Sequence, residues 1–563
     1  MKIHMEMLQG KKLRIMFVVL SVAVVWLVWF LFYLDNSNSS LSYLPFKLQA
    51  ASNHMPADAN DAFDRDMNSD LFMRPRIVFQ GERIVHIDLK GAPPRITYYK
   101  EFFRLLVKLG ATGVIIEYED MFPYHGPLLA NISAHNAYTL NDIKTINDLA
   151  HKMHLKVIPL VQTFGHMEFL LKLRPWKQLR EVPKYPQVVC PTHNQTLPLL
   201  LQLVEQVLEA HPNTNMLHIG ADEVYQLGEC DRCFIKMNMN GWTKQKLFLY
   251  HVSTVANAIK ERHPSVRLLM WDDEFRKVRQ EDLEKWRIAS LVEPVVWKYT
   301  RDVYTQLGAS LWDMYASVFP RLWIASAYKG ATGSDKYITD ISHHLENHRS
   351  WMQIVAEYSG RIKFEGIILT GWQRYDHFAV LCELLPVGIP SLAMNLHLIQ
   401  GYIDSTQVPP QAVAALLQCD NPYALLGPAL GTPKCNYPGG NVLEAALKLL
   451  QLNQEFAGVL DDSKVRGWMT EYNVNHVYTN VLFVEAAMDN LNMYKMQLSQ
   501  IEADMVQSMN QMYDNYTVAE WCELNIRPLY VRIETLWEAK EKLLNTDVWP
   551  RRPFRTDDDR KEL

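Results

Sequence analysis

The stretch Met216-Leu217-His218-Ile219-Gly220-Ala221-Asp222-Glu223 decides how the rest of the chain is read. A short apolar run stops at two consecutive acids. If Met216–Ile219 is a buried strand, Asp222 and Glu223 stand just past its carboxyl end. Charged groups are seldom buried without partners, so acids beside a core strand need a reason. They could cap the helix that follows, or they could form a catalytic carboxylate pair at the mouth of a barrel.

The flanking chain separates these readings. Short β-branched runs at Ile84–Leu89, Gly113–Tyr118, Lys156–Val161, Met216–Ile219, Leu268–Trp271, Leu291–Trp297, Leu322–Ser326 and Gly366–Thr370 read as strands. Amphipathic patterns lie between them, at Tyr98–Leu109, Leu140–Met153, Leu197–Ala210 and Lys244–Ile259. Strand–helix alternation over residues 76–400 predicts an α/β fold, a (β/α)8 TIM barrel. A doubly wound open sheet is the alternative, but no G-x-G-x-x-G follows the first strand.

Residues 401–545 lose the strand pattern and predict helices at Val442–Leu452, Asn475–Tyr513 and Ala519–Leu544. Met493, Met496, Met505, Met509 and Met512 read there as adaptable core packing. Residues 546–563 form a charged tail that ends Arg560-Lys561-Glu562-Leu563, a loose echo of an endoplasmic-reticulum retrieval signal.

At the other end, Ile15–Leu34 is an apolar run of bilayer-spanning length, preceded by Lys2, Lys11, Lys12 and Arg14. The positive-inside rule keeps residues 1–14 cytosolic and puts the remainder in the lumen or outside the cell. A cleaved signal peptide is the competing reading, but the run is long for one and no small-x-small site follows at once. Residues 15–34 are therefore expected to be an uncleaved transmembrane signal anchor, giving a single-pass type II membrane protein. Residues 35–75 are expected to be a polar stalk. Sequons at Asn38, Asn131, Asn194 and Asn515 fit a lumenal chain.

The chain has 563 residues, 48% of them apolar and 21% charged, enough for one large domain and a smaller one. A net charge of −5 carries no polyanion-binding signature, so nucleic acid is not an expected partner. Cys230 and Cys233 form a C-x-x-C with no second pair nearby in sequence, which reads as a loop disulfide or two free thiols ahead of a zinc site.

Barrel chemistry sits at the carboxyl ends of the strands. Reading those positions in order gives Asp88 and Lys90, then Glu117, Glu119 and Asp120, then Gln162 and His166. Asp222 and Glu223 follow, then Trp271, Asp272 and Asp273, Glu293 and Trp297, Tyr328 and Lys329, and finally Trp372, Arg374, Tyr375 and Asp376. Singly, each has a plainer explanation: a tryptophan plugs a core, a histidine satisfies a turn, an aspartate caps a helix. Together, indoles that can stack on sugar faces and acids that can fix hydroxyls point to a glycan site. No H-E-x-x-H favours a catalytic metal and no G-x-S-x-G favours a serine hydrolase.

These residues carry a resemblance. His218-Ile219-Gly220-Ala221-Asp222-Glu223 is similar to the H-x-G-x-D-E motif of the family 20 glycoside hydrolases, the β-N-acetylhexosaminidases. The stretches Asp88–Pro94, Glu117–Tyr124 and Thr370–His377 resemble the hexosaminidase D-like members of that family. The resemblance implies an exo-acting enzyme that removes terminal N-acetylhexosamine, GalNAc or GlcNAc, with retention and without a cofactor. Chelators are accordingly expected to leave activity unchanged. The substrate's own 2-acetamido oxygen would attack the anomeric carbon, an exception to the two-carboxylate scheme.

On that resemblance Glu223 is the general acid and Asp222 orients the acetamido group. His166, Trp271, Trp297 and Trp372 carry over as sugar-binding positions, and Tyr328 as the acetamido-binding tyrosine with Tyr299 as rival. Lys90, Glu119, Asp120, Arg374 and Asp376 are the other expected substrate contacts. Lys90 stands where lysosomal relatives have Arg, and Arg374 and Asp376 stand where they have Glu, so recognition of the outer hydroxyls is expected to be rebuilt. The expected partners are a carbohydrate substrate and the membrane, and a homodimer is allowed for. Two other readings stay open: a tethered glycan-binding protein without turnover, and a different retaining glycosidase with Asp273 or Glu293 as nucleophile.

Overall fold

The computed structural model describes residues 78–401, 410–427 and 430–554. The expected anchor, its cytosolic segment, the stalk, Asn38 and the last residues of the tail lie outside the described residues. Among the described residues no helix is long and apolar enough to cross a membrane.

The eight barrel strands are β1 (Glu82–Asp88), β2 (Gly113–Glu117), β3 (Lys156–Leu160), β6 (Met216–His218), β7 (Arg267–Trp271), β8 (Glu293–Trp297), β9 (Leu322–Lys329) and β10 (Phe364–Gly371). They close in the order β1-β10-β9-β8-β7-β6-β3-β2, with every pairing parallel. Two short strands, β4 (Arg180–Val182) and β5 (Tyr185–Val189), form a separate antiparallel hairpin between β3 and β6.

Side-chain alternation along the strands makes two cores. Ile84, Ile115, Ile158, Leu160, Leu269, Trp271, Val295, Trp323 and Ile368 fill the barrel. Val85, Ile87, Val114 and Ile116 point the other way, into the layer shared with the helices. Because both faces are covered, the strands read as unbroken apolar runs rather than alternating ones.

The predicted strands match the observed ones to within a few residues, with one consequential exception. β9 continues past Ser326 to Lys329. Tyr328 is thus a strand residue. By period-two alternation it joins Ile324 in the outer layer, whereas Trp323 and Ala325 face the barrel interior.

The predicted helices are found at Ile96–Lys108, Leu140–Lys152, Thr196–Glu209 and Lys244–Arg262. The second starts with a capping box: Thr139 accepts the Asp142 N–H while the Asp142 side chain accepts the Thr139 N–H. Beyond the barrel the chain is helical, including Gly440–Asp461, Leu491–Met509, Asn515–Asn525 and Arg527–Leu544. The described residues all belong to one compact unit.

Arg95 donates its backbone N–H to Met512 and Thr517 donates its hydroxyl to Gly91, so the late helices are hydrogen-bonded to the barrel. Only part of the methionine stripe is core. Met505, Met509 and Met512 are buried, while Met493 and Met496 are exposed.

Candidate active site

A cavity of about 200 Å³ opens at the carboxyl ends of the strands. Asp222, Glu223, His166, Trp297, Tyr299 and Trp372 line it, together with Lys90, Glu119, Arg374, Asp376 and His377. A larger groove, about 760 Å³, lies where β3 and β6 begin, the end of the barrel opposite the convergent acids.

The loop after β6 puts both acids at the cavity. Gly220 has φ of 66°, and a Cβ there would stand 1.8 Å from Oε1 of Gln162. Gly165 has φ of 67°, and a Cβ there would meet the Asp222 carbonyl oxygen at 2.0 Å. Both turns therefore require glycine. Glu119, His166 and Glu223 themselves adopt φ of 47°, 42° and 47°. Left-handed backbone at non-glycine residues is costly, and here all three face one cavity, as strained backbone often does at functional sites.

His166 Nε2 lies 3.1 Å from Glu223 Oε2 and 3.7 Å from Asp222 Oδ2. The Gln162 side-chain amide donates to Asp222 Oδ1 at 3.3 Å, and its oxygen accepts the Ala221 N–H at 3.2 Å. From the hairpin, Gln187 donates to the Glu223 carbonyl at 3.2 Å.

Burial works against a charge on His166, but Asp222, Glu223 and Glu168 outweigh it and push the imidazole up to about 10. Burial, with Glu117 and Glu223 nearby, raises Asp222 to about 6 against the pull of His166. The hydrogen bond from His166 instead holds Glu223 below its ordinary value. As the side chains stand, a proton shared by the two acids rests on Asp222.

Lys90 is locked in a carboxylate cage, with Nζ 3.1 Å from Asp88, 3.2 Å from Glu117 and 3.5 Å from Glu119. Burial alone would discharge it, but these three acids hold its pKa well above the ordinary lysine value. Its ammonium sits 5.3 Å from the centre of the Trp372 ring. Glu119 is raised, chiefly by burial and by Glu117, and it pairs with His377.

Arg374 spends three N–H groups on the protein. It donates to the Lys90 carbonyl at 3.2 Å, the Ala379 carbonyl at 2.8 Å and the Glu520 carboxylate at 2.5 Å. Asp376 uses Oδ1 to cap the turn that follows, accepting from Phe378 and Ala379.

Three expected contacts fall outside the cavity wall. Tyr328 is fully buried in the outer layer and donates its hydroxyl to the His86 carbonyl at 3.2 Å. Tyr299, its rival, lines the cavity and stacks on Trp297 with ring centres 5.2 Å apart. Asp120 points to Lys172, 3.0 Å away, instead of the cavity. Trp271 lies in the barrel interior, its ring centre 6.0 Å from that of Trp372.

The alternative nucleophiles are engaged elsewhere. Glu293 opens β8 rather than ending it, bound by Arg267, Arg321 and the Trp323 indole N–H. Asp273 accepts from the Glu223 backbone and the Trp297 indole and is not part of the wall. Its role as a brace leaves no sequence signal, since the donor it meets is a main-chain group. Glu168 and His377 also line the cavity without having been singled out. Glu168 follows the His166 turn too closely for any pattern to set it apart.

Residues 107–359 match the profile "Glycosyl hydrolase family 20, catalytic domain". The chain is 39% identical over 487 residues to Hexosaminidase D of Homo sapiens, covering 84% of this chain and 97% of that protein. It is 48% identical over 315 residues to Hexosaminidase D of Bos taurus, covering 56% of this chain and 90% of that one. Among solved structures, chitobiase of Flavobacterium johnsoniae is similar at 15% identity with a TM-score of 0.47, covering 83% of this chain and 72% of that one.

Proposed function

Because this chain belongs to glycosyl hydrolase family 20 and is a β-N-acetylhexosaminidase, we propose that it releases single terminal N-acetylhexosamine units from glycoconjugates by substrate-assisted, retaining hydrolysis. One observation carries the reading: Asp222 and Glu223 open side by side, bridged by His166, into a cavity walled by Trp297, Tyr299 and Trp372. The cavity is smaller than the roughly 300–1,000 Å³ that larger ligands occupy. That favours one sugar ring and hence exo action.

In this reading the non-reducing sugar stacks on the indoles and its acetamido N–H donates to Asp222. That hydrogen bond favours the Asp222 carboxylate and sends the shared proton to Glu223. Glu223 then protonates the glycosidic oxygen as the acetamido oxygen closes on the anomeric carbon. Asp222 stabilises the positive charge that builds on the cyclised amide. Glu223, now ionised, takes a proton from the water that reopens the ring. We assign Tyr299 the hydrogen bond to the acetamido oxygen, and Lys90, Glu119, Arg374 and Asp376, which also line the cavity, the outer hydroxyls.

Glu223→Gln should lower turnover of an aryl N-acetylhexosaminide by about 10²–10⁴-fold with the fold intact by circular dichroism. A thiazoline mimic of the cyclised intermediate should inhibit, and glycosides lacking the 2-acetamido group should not turn over. Full activity of Glu223→Gln, or hydrolysis of the acetamido-free glycosides, would overturn the mechanism. Paired GlcNAc and GalNAc reporters read the sugar preference.

We also propose that residues 15–34 anchor the chain in a single-pass type II orientation, with the catalytic unit in the secretory lumen or outside. Support comes from exposed sequon asparagines at Asn131, Asn194 and Asn515 and from the Cys419–Cys435 disulfide. Protease protection of the catalytic unit in intact microsomes tests this. Cleavage without detergent would sink it.

A further inference from the structure

Three sulfurs and one carboxylate that are scattered in the sequence meet on the far side of the hairpin. Glu181 lies on β4, Cys190 directly follows β5, and Cys230 and Cys233 open the helix Asp231–Asn240. One ligand-type atom from each lies within 4.8 Å of all the others. None of the four lines the catalytic cavity.

The group is built from buried parts. Cys190 and Cys233 are 0% exposed and Glu181 1%. Glu181 Oε1 accepts the Glu229 and Cys230 backbone N–H groups at 2.8 and 3.1 Å, and Oε2 stands 3.1 Å from the Cys233 sulfur. Among the described residues no lysine, arginine or histidine forms an ion pair with it. A carboxylate withdrawn from water in this way calls for a positive charge.

The sulfurs are spaced for a shared centre. Cys190 Sγ is 3.4 Å from Cys230 Sγ and 3.5 Å from Cys233 Sγ, whereas Cys419 and Cys435 in the same chain are bonded. A tetrahedral ion with metal–sulfur bonds of about 2.3 Å holds its sulfurs roughly 3.8 Å apart, close to what is found. The Cys233 N–H points at Cys230 Sγ at 3.4 Å, and the Thr192 hydroxyl lies 3.3 and 3.2 Å from the Cys190 and Cys233 sulfurs. These donors suit thiolates.

We propose that Cys190, Cys230, Cys233 and Glu181 bind a structural zinc ion. Binding displaces the three thiol protons to solvent and forms three Zn–S bonds and one Zn–O bond. Four protein ligands close the coordination sphere, so the ion takes no part in glycoside hydrolysis. It clips the β4–β5 hairpin to the helix Asp231–Asn240. Gln187 of that hairpin holds the Glu223 carbonyl, so the clip backs the turn that carries the acid pair.

Elemental analysis of the full chain, purified without chelator, should find about one zinc ion per chain. Cys190→Ser and Glu181→Gln should each reduce that content, the first to background. Replacing zinc by Co(II) in the unaltered chain should produce an intense thiolate-to-metal charge-transfer band with tetrahedral ligand-field absorption, a readout that needs no variant to fold. Zinc at background in the unaltered chain would overturn the proposal, whether peptide mapping then finds a Cys190 disulfide or three free thiols. So would full zinc retention by Cys190→Ser, or a cobalt spectrum without the thiolate band.

Discussion

One oxygen of Asp273 accepts the backbone N–H of Glu223 at 2.9 Å while the other accepts the Trp297 indole N–H at 3.1 Å. A single carboxylate thereby fixes the main chain of Glu223, the proposed proton donor, relative to the Trp297 ring. Asn at this position can accept only one of the two hydrogen bonds and presents an N–H to the other donor. Asp273→Asn should therefore lower kcat by about 10-fold or more, from the roughly 1–3 kcal/mol cost of a broken buried hydrogen bond. KM should move little, and an unchanged kcat would show that Asp273 braces nothing.

The proposed mechanism requires Asp222 ionised and Glu223 protonated. Because burial raises Asp222 to about 6 and His166 lowers Glu223, kcat/KM should form an acidic bell. Above about 6 the pair loses its last proton, and below the lower of its two macroscopic pKa values both acids are protonated. His166, raised to about 10, keeps its charge throughout. His166→Gln removes the cation that favours both carboxylates, so the whole bell should move to higher pH. A profile that loses height without moving would refute the assigned coupling.

The two tyrosines separate by their surroundings. Tyr299→Phe removes a hydroxyl at the cavity and should reduce turnover of N-acetylhexosaminides by about 10-fold or more. Tyr328→Phe removes a hydroxyl that serves the His86 carbonyl and should affect thermal stability alone. Steady-state kinetics beside melting curves tell them apart, and the reverse pattern would restore Tyr328 as the sugar-binding residue.

Arg374 reaches Glu520, on the helix Asn515–Asn525, at 2.5 Å. Glu520→Ala should raise KM by freeing the guanidinium at the cavity rim while leaving kcat nearly constant. In a double-mutant cycle with Arg374→Ala the coupling should be about 1 kcal/mol. Zero coupling would mean that the pair is incidental.

Much of this molecule could be read before its structure, for a physical reason. Barrel strands are covered on both faces, so Gly113–Glu117 and Lys156–Leu160 stand out as short, mostly apolar runs, and the acids that break such runs mark the carboxyl ends. The failures came where direction or distance mattered. Tyr328 was expected at the mouth because β9 is longer than its apolar run suggests, and one further strand residue reverses a side chain. Glu293 was credited to the end of a strand that it begins. The hairpin leaves little signal because Arg180–Val182 is only three residues long and Tyr185–Val189 contains a proline, which weakens its reading as a strand. Cys190 and Glu181 join Cys230 and Cys233 only through that hairpin, which no local spacing reveals. Asp273 answers a backbone amide, and amides are the same at every position.

The bond between Arg374 and Glu520, together with that from Thr517 to Gly91, ties the cavity edge to the helix Asn515–Asn525. The cavity edge therefore draws on chain well past the last barrel strand. Splice forms or proteolytic products that end near residue 400 would carry every acid of the cavity and still lack the support that holds its edge.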